Sequence, residues 1–283
     1  MTDAPRRPGP WDPKPETPPV PGVSAATPGA TPGTMPLDKG QNPVWAVIST
    51  LLLGGFVWWI TGSWVIAVAL VFGLFVHEYG HVLAMNRLGM GPARIYIIPF
   101  LGGLAKAQRG PRSEWDGVLV SLAGPAFGLL AAGPFFVGYF VQGSPAWLAG
   151  AFAIALINLV NLAPAPPLDG SKALGPVLAR IHPALEWTTM LAIGAAVIAW
   201  GVTNGSFLFA AFLAIALIGH LRRGRWRPDG RRLSWPEAAA STALFLVTAA
   251  ACVVVGVAAL LPLGDGSPIE GLRQGGRMLG LSS

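Results

Sequence analysis

Cysteine is almost missing from this chain. The single Cys252 in 283 residues lies inside an apolar run, which excludes a disulfide framework and a cysteine-based metal site and leaves it the part of a small packing residue. Charge is scarce as well: 11% charged against 53% hydrophobic residues is too little for a water-soluble domain of this length. There is no period-2 alternation over ten-residue stretches, which excludes an outer-membrane barrel. The N-terminus has no unbroken apolar stretch with a small-residue cleavage site, so nothing there reads as a signal peptide. No internal repeat is detectable, which argues against a transporter built from inverted halves.

What the chain does have is long apolar runs and a mean hydropathy of +0.56. A helix needs about 20 apolar residues to cross hydrocarbon. By that measure we expect an all-α polytopic membrane protein of about seven transmembrane helices, near 44–60, 64–86, 118–141, 146–165, 187–202, 206–221 and 237–262. Residues 1–43 carry proline at nearly every third or fourth place and cannot bury a core, so they read as a disordered cytoplasmic tail. Residues 44–263 form the membrane-embedded domain and 264–283 a C-terminal tail.

The net charge of +6 does not mark a nucleic-acid partner, because the basic residues are scattered between the apolar runs. With the N-terminus in the cytoplasm, 17 of the 19 Lys and Arg fall on the cytoplasmic side, and only Arg273 and Arg277 lie outside. The C-terminus is then extracytoplasmic. Arginine outnumbers lysine, and Ala, Gly and Pro abound, as suits a GC-rich bacterial genome and hence a bacterial cell membrane. The basic loop from Arg222 to Arg232 reads as a positive-inside anchor beside membrane lipid.

Within the second run the residues PheValHisGluTyrGlyHis place His77, Glu78 and His81 in an HExxH pattern. Helical spacing puts both imidazoles on one face, where they can hold one zinc ion, with Glu78 beside the first ligand as the base acting on water. Chance would produce this pattern in about one such chain in a thousand. Three ionisable residues inside a span are expensive unless they meet partners, so they mark function.

Catalytic zinc takes three protein ligands, and Asp169 is the candidate third. It ends the Pro-rich stretch AsnLeuAlaProAlaProProLeuAspGly, and the second and fourth runs both descend to the cytoplasmic side, so it can reach the depth of the histidines. A turn residue or helix cap before Ser171 is the other reading of Asp169. His182 and His220 lie at cytoplasmic ends and fit solvated or interfacial roles better.

HisGluTyrGlyHis followed by the Asn/Pro-rich LeuAspGly segment resembles the site-2 protease family of intramembrane zinc metalloproteases (peptidase family M50). The resemblance covers roughly residues 64–175 and includes Gly102 and Gly103 and the SerLeuAlaGlyPro stretch at 121–125. It implies that His77, His81 and Asp169 bind one Zn2+ per chain, that Glu78 is the catalytic acid/base, and that the substrates are transmembrane proteins such as anti-sigma factors. Many members have a second Gly where this chain has Ser171, and an Asn beyond AlaGlyPro where it has Gly128. No stretch is long enough for the PDZ or CBS domains of other members.

Asn161 and Asn158 are candidates for holding substrate backbone or the developing oxyanion, with hydrogen bonding between helices as the alternative. A substrate helix must unwind before cleavage. A short β or re-entrant segment near 94–108, with Gly102 and Gly103 in it, offers an edge for the unwound strand. A protein that keeps zinc only for binding is the rival reading, against which the intact Glu78 speaks.

Overall fold

A computed structural model describes residues 38–99, 102–203, 205, 207–223 and 230–281. The proline-rich stretch up to 37 and most of the basic loop, residues 224–229, lie outside the described residues. Among the described residues the secondary structure is helical apart from one hairpin. Helices α1 (Pro43–Thr61) and α2 (Trp64–Arg87) lead into strands β1 (Arg94–Ile98) and β2 (Gly102–Lys106). Helices α3 (Glu114–Gly128), α4 (Gly133–Gln142), α5 (Pro145–Asn161), α6 (Asp169–Ile181), α7 (Pro183–Thr203), α8 (Phe207–Arg223), α9 (Trp235–Leu263) and α10 (Pro268–Met278) follow, with a 3-10 turn, Leu129–Ala132, joining α3 to α4.

Local chemistry sets the helix ends. The Ser63 hydroxyl accepts from the Ile66 amide at the start of α2, and Ser234 and Glu237 form a capping box at the start of α9. Gly62, at φ 65°, turns the chain out of α1 in the left-handed region that a side chain disfavours.

Among the described residues, five stretches are long and apolar enough to cross a membrane: Pro43–Thr61, Trp64–Arg87, Glu114–Gln142, Pro183–Thr203 and Trp235–Leu263. Pro145–Asn161 and Ala210–Arg222 are apolar but shorter. The expected run 146–165 leaves helix after Asn161, where the prolines begin. Large apolar side chains cover the outside, Trp59 and Phe140 each 80% exposed, and α1 buries only Ser49 and Leu53. Water would not tolerate such a surface and lipid does, so this is a membrane protein.

Helix α2 lies at the centre, packed on α1, α3 and α5. Where α2 ends, the start of α3 is tied to the start of α9: the Glu114 carboxylate accepts from the Leu233 amide at 2.8 Å, and the Arg231 carbonyl accepts from the Glu114 amide. At the opposite end, α10 folds back onto α5 and α9, so much of the expected C-terminal tail is a packed helix. Two apolar clusters fill the interior, one around Ile66, Phe152, Ile154 and Leu260, the other around Val118, Leu162, Ala173 and Cys252.

β1 and β2 pair antiparallel with Ile97 opposite Gly103, which realises the strand segment expected near 94–108. The short chain before α1 straps this hairpin. The Gln41 carboxamide accepts from the Ile97 amide at 2.8 Å and donates to the Ile97 carbonyl at 2.9 Å. Asp38 takes Lys106 at 2.8 Å with one carboxylate oxygen and the Tyr96 hydroxyl with the other.

Candidate metal centre

His77 and His81 lie one turn apart on α2, six to ten residues before its end at Arg87, which at 1.5 Å per residue is about 9–15 Å along the axis. Asp169 is the first residue of α6, after a loop in which prolines 164, 166 and 167 prevent helix. Gly170 lets that loop fold tightly, since a Cβ there would lie 1.9 Å from the Leu162 carbonyl oxygen. The Asp169 side chain does not cap α6; it reaches the histidines.

Three ligand atoms converge. His77 Nε2 and His81 Nε2 are 3.1 Å apart, and Asp169 Oδ2 lies 3.1 Å from the first and 3.2 Å from the second. The outer ring nitrogens are already engaged. His77 Nδ1 is 2.8 Å from Asn158 Oδ1, and His81 Nδ1 is 2.7 Å from the Val120 carbonyl oxygen. Asn158 donates its own Nδ2 to the Ile154 carbonyl at 2.7 Å, which turns its oxygen toward His77 and makes His77 Nδ1 the donor. Val120 can only accept, so His81 Nδ1 donates too. Both Nε2 lone pairs therefore face Asp169.

Two lone pairs and a carboxylate oxygen at that spacing repel one another unless a cation lies among them. A tetrahedral zinc with ligands at 2.0–2.2 Å separates its ligand atoms by roughly 3.4 Å, near the spacing here. The N,N,O donor set, and imidazoles held from behind by an amide and a carbonyl, are what zinc takes. These residues fit a zinc ion. His77, His81 and Asp169 are all at least 92% buried.

Glycine makes the room. A Cβ on Gly124 of α3 would sit 2.3 Å from His81 Nε2 and 2.9 Å from His77 Nε2, in the ligand sphere itself. A Cβ on Gly128 would lie 2.2 Å from Asn158 Oδ1. One on Gly80 would meet the Ala123 carbonyl oxygen at 2.4 Å, so α2 and α3 approach backbone to backbone. These three glycines and the Val120 carbonyl were not candidate site residues, although AlaGlyPro and the departure at Gly128 marked the neighbourhood.

Residues 65–155 match the sequence model of peptidase family M50. This segment carries the chain's likeness to peptidase family M50. The M50 segment contains His77, Glu78, His81, Gly124 and Gly128, and ends before Asn158 and Asp169. Two curated relatives agree with it. A Synechocystis protein named "Putative zinc metalloprotease sll0528" is 30% identical over 162 residues, 50% of this chain and 41% of the relative. The "Zinc metalloprotease MJ0392" of Methanocaldococcus jannaschii is 26% identical over 157 residues, 52% of this chain and 42% of the relative. The match thus spans less than half the length of either relative. No solved structure matches.

The other expected site residues take distinct places around this centre. Glu78, 6% exposed, faces the hairpin: its carboxylate meets the Ala105 amide, and a Cβ on Gly103 would lie 2.5 Å from its Cγ. Gly102, at φ 121°, lies against Leu74. Asn158, wholly buried, stands behind His77 and not before open space. Asn161 donates to the Ile157 carbonyl of its own helix at 3.0 Å.

Proposed function

We propose that this protein is an intramembrane zinc metalloprotease that hydrolyses peptide bonds of membrane-protein substrates within or beside the bilayer. The observation that carries this reading is the convergence of His77, His81 and Asp169 on one point, the two histidines within the long apolar helix α2, with Glu78 next in sequence to the first of them. One zinc ion per chain, held by these three, supplies Lewis acidity that acidifies water and polarises the scissile carbonyl. Glu78 takes the proton of the attacking water and delivers it to the leaving amine. Burial between α2 and the hairpin keeps that carboxylate dry enough to exchange protons with substrate rather than solvent. Asn158 and Val120 hold the imidazoles in the tautomer that leaves Nε2 free.

Substrate presentation follows from the hairpin. Gln41 occupies both hydrogen-bonding groups of Ile97 on the outer edge of β1. Opposite residues in such a pair point their free groups to opposite sides, so Gly103 presents its amide and carbonyl away from β1. An unwound substrate strand would pair there, on the free groups of Gly103, with its scissile carbonyl turned to the three ligand side chains. Leu104, opposite Tyr96, turns its own amide to β1, so proline there breaks the hairpin that holds this edge and is expected to lower cleavage and spare zinc.

In this reading the chain crosses a bacterial cell membrane seven times, the two shorter apolar helices included, with the N-terminus cytoplasmic and the C-terminus extracytoplasmic. Its partners are membrane lipid and transmembrane proteins, regulatory ones such as anti-sigma factors among them, and not nucleic acid. The test is cleavage of single-span substrates by purified protein in liposomes, with zinc measured in parallel. Glu78→Gln is expected to abolish cleavage and keep zinc; equal cleavage by both forms removes the assignment of Glu78, and zinc without any cleavage by the wild type removes the protease.

A further inference from the structure

A cleft of about 1070 Å³ runs between α5 and α7, from α10 at one end to Val160 and Ala163 at the other. Its walls are Phe152, Leu156, Val197 and Trp200, and the polar side chains among its lining residues are those of α10: Arg273, Arg277 and Glu270. Helix α5 packs on α2, α4 and α9, while α7 packs on α6 and α8, so the two walls belong to different parts of the bundle. His77, Glu78, His81, Asp169, Asn158 and Asn161 do not line it.

Helix α10 is seated firmly at one end of this cleft. A Cβ on Gly271 would lie 2.1 Å from the Leu260 carbonyl oxygen, and one on Gly275 would lie 3.1 Å from Leu260 and 3.3 Å from Phe152. Leu260 is near the end of α9, and Gly280 beyond α10 approaches Ile60 near the end of α1, so α10 sits at the membrane face opposite the metal. The two arginines share one acid: Glu270 is 3.3 Å from Arg273 and 3.6 Å from Arg277. The rim is left with one net positive charge over an apolar slot. A polypeptide span would fill the slot without answering that charge. A molecule with an anionic head and hydrocarbon tails answers both.

We propose that the α5/α7 cleft is a binding site for an anionic phospholipid of the leaflet opposite the metal, its phosphate on Arg273 and Arg277 and its acyl chains along Phe152, Leu156, Val197 and Trp200. Guanidinium forks suit phosphate oxygens, and long Arg side chains reach to the headgroup layer from a helix lying in it. Glu270 acts as a counter-ion that the phosphate displaces.

The experiment is lipid retention by the full-length protein in native mass spectrometry and in nanodiscs, with dioleoyl phosphatidylglycerol set against dioleoyl phosphatidylcholine. Phosphatidylglycerol is expected to bind about tenfold or more tightly than phosphatidylcholine. Arg273→Gln with Arg277→Gln removes that preference, the double Lys variant restores part of it, and zinc content stays constant as the check on folding. Glu270→Gln strengthens phosphatidylglycerol binding, opposite to what loss of a merely structural ion pair does. Val197→Trp, which fills the slot, weakens both lipids. An unchanged preference in the double Gln variant, or weaker binding in Glu270→Gln, overturns the site. So does a photo-crosslinker at position 197 that captures single-span proteins in place of lipid, which assigns the cleft to substrate.

Discussion

The Oδ1 of Asn158 stands 2.8 Å from Nδ1 of His77, in a place with no exposure to solvent. The Asn158 amide cannot turn over without losing its bond to the Ile154 carbonyl, so it dictates which nitrogen of His77 carries the proton. Replacing Asn158 with Ala leaves that N–H buried without a partner and the ring free to rotate. Zinc affinity is expected to fall about 10- to 100-fold, read by chelator competition.

Gly124→Ala separates helix chemistry from site chemistry. Alanine is the better helix former by about 1 kcal/mol, and on an unconstrained helix it stabilises. Here its methyl would lie 2.3 Å from His81 Nε2. The expected result is loss of bound zinc with helical content unchanged by circular dichroism.

These positions show what a sequence discloses and what it hides. HExxH was legible because helical spacing alone puts positions 77 and 81 on one face, and Asp169 was legible from its prolines and its place after the fourth run. The role of Asn158 was hidden: its partner is 81 residues away, and its type suits substrate binding equally well. The Gln41 and Asp38 strap was hidden for the same reason, with partners 56 to 70 residues on. Helix α10 escaped because hydropathy marks spans, and its packing depends on Gly271 and Gly275, which carry no apolar signal. The span count was legible only as far as length allows, since the fourth and sixth runs form helices of 17 residues.

Gln41→Ala uncovers the outer edge of β1. Ile97 loses the partners of both its amide and its carbonyl, and these groups must turn to water or to another strand. Hydrogen exchange at the Ile97 amide is expected to speed up by about tenfold, in line with one net hydrogen bond of roughly 1 kcal/mol. The Tyr96 amide, which faces β2, changes less.

The strap should not respond to pH near neutrality. Lys106, then Tyr96 and the Gly40 amide, hold the Asp38 carboxyl well below the usual carboxylate range, and the same bond raises Lys106 above its ordinary value. A depressed carboxylate stabilises fully above its unfolded pKa and loses that contribution only as pH falls through the lower, folded one. A raised amine loses its contribution only as pH rises through the higher one. Between roughly pH 5 and 9 the exchange of the hairpin amides, corrected for intrinsic rates, is expected to stay flat. Asp38→Asn raises it throughout that range, and a wild-type transition near neutral pH would show that another group controls the strap.

Gly103→Ala tests whether the hairpin and Glu78 form one working surface. The added methyl would sit 2.5 Å from Glu78 Cγ and 3.1 Å from Oε1. Either the Glu78 carboxylate or β2 must shift, by several tenths of an ångström at the least, and proton transfer tolerates such displacement poorly. Gly103 holds none of the three ligands, so zinc content is expected to stay at the wild-type level while cleavage falls by about 100-fold. Gly117→Ala is the matched control, on α3 with open space around its Cβ, and should leave both unchanged. Lost zinc in Gly103→Ala would mean that the hairpin supports the ligands and not the base; undiminished cleavage would mean that Glu78 works from a position the hairpin does not set.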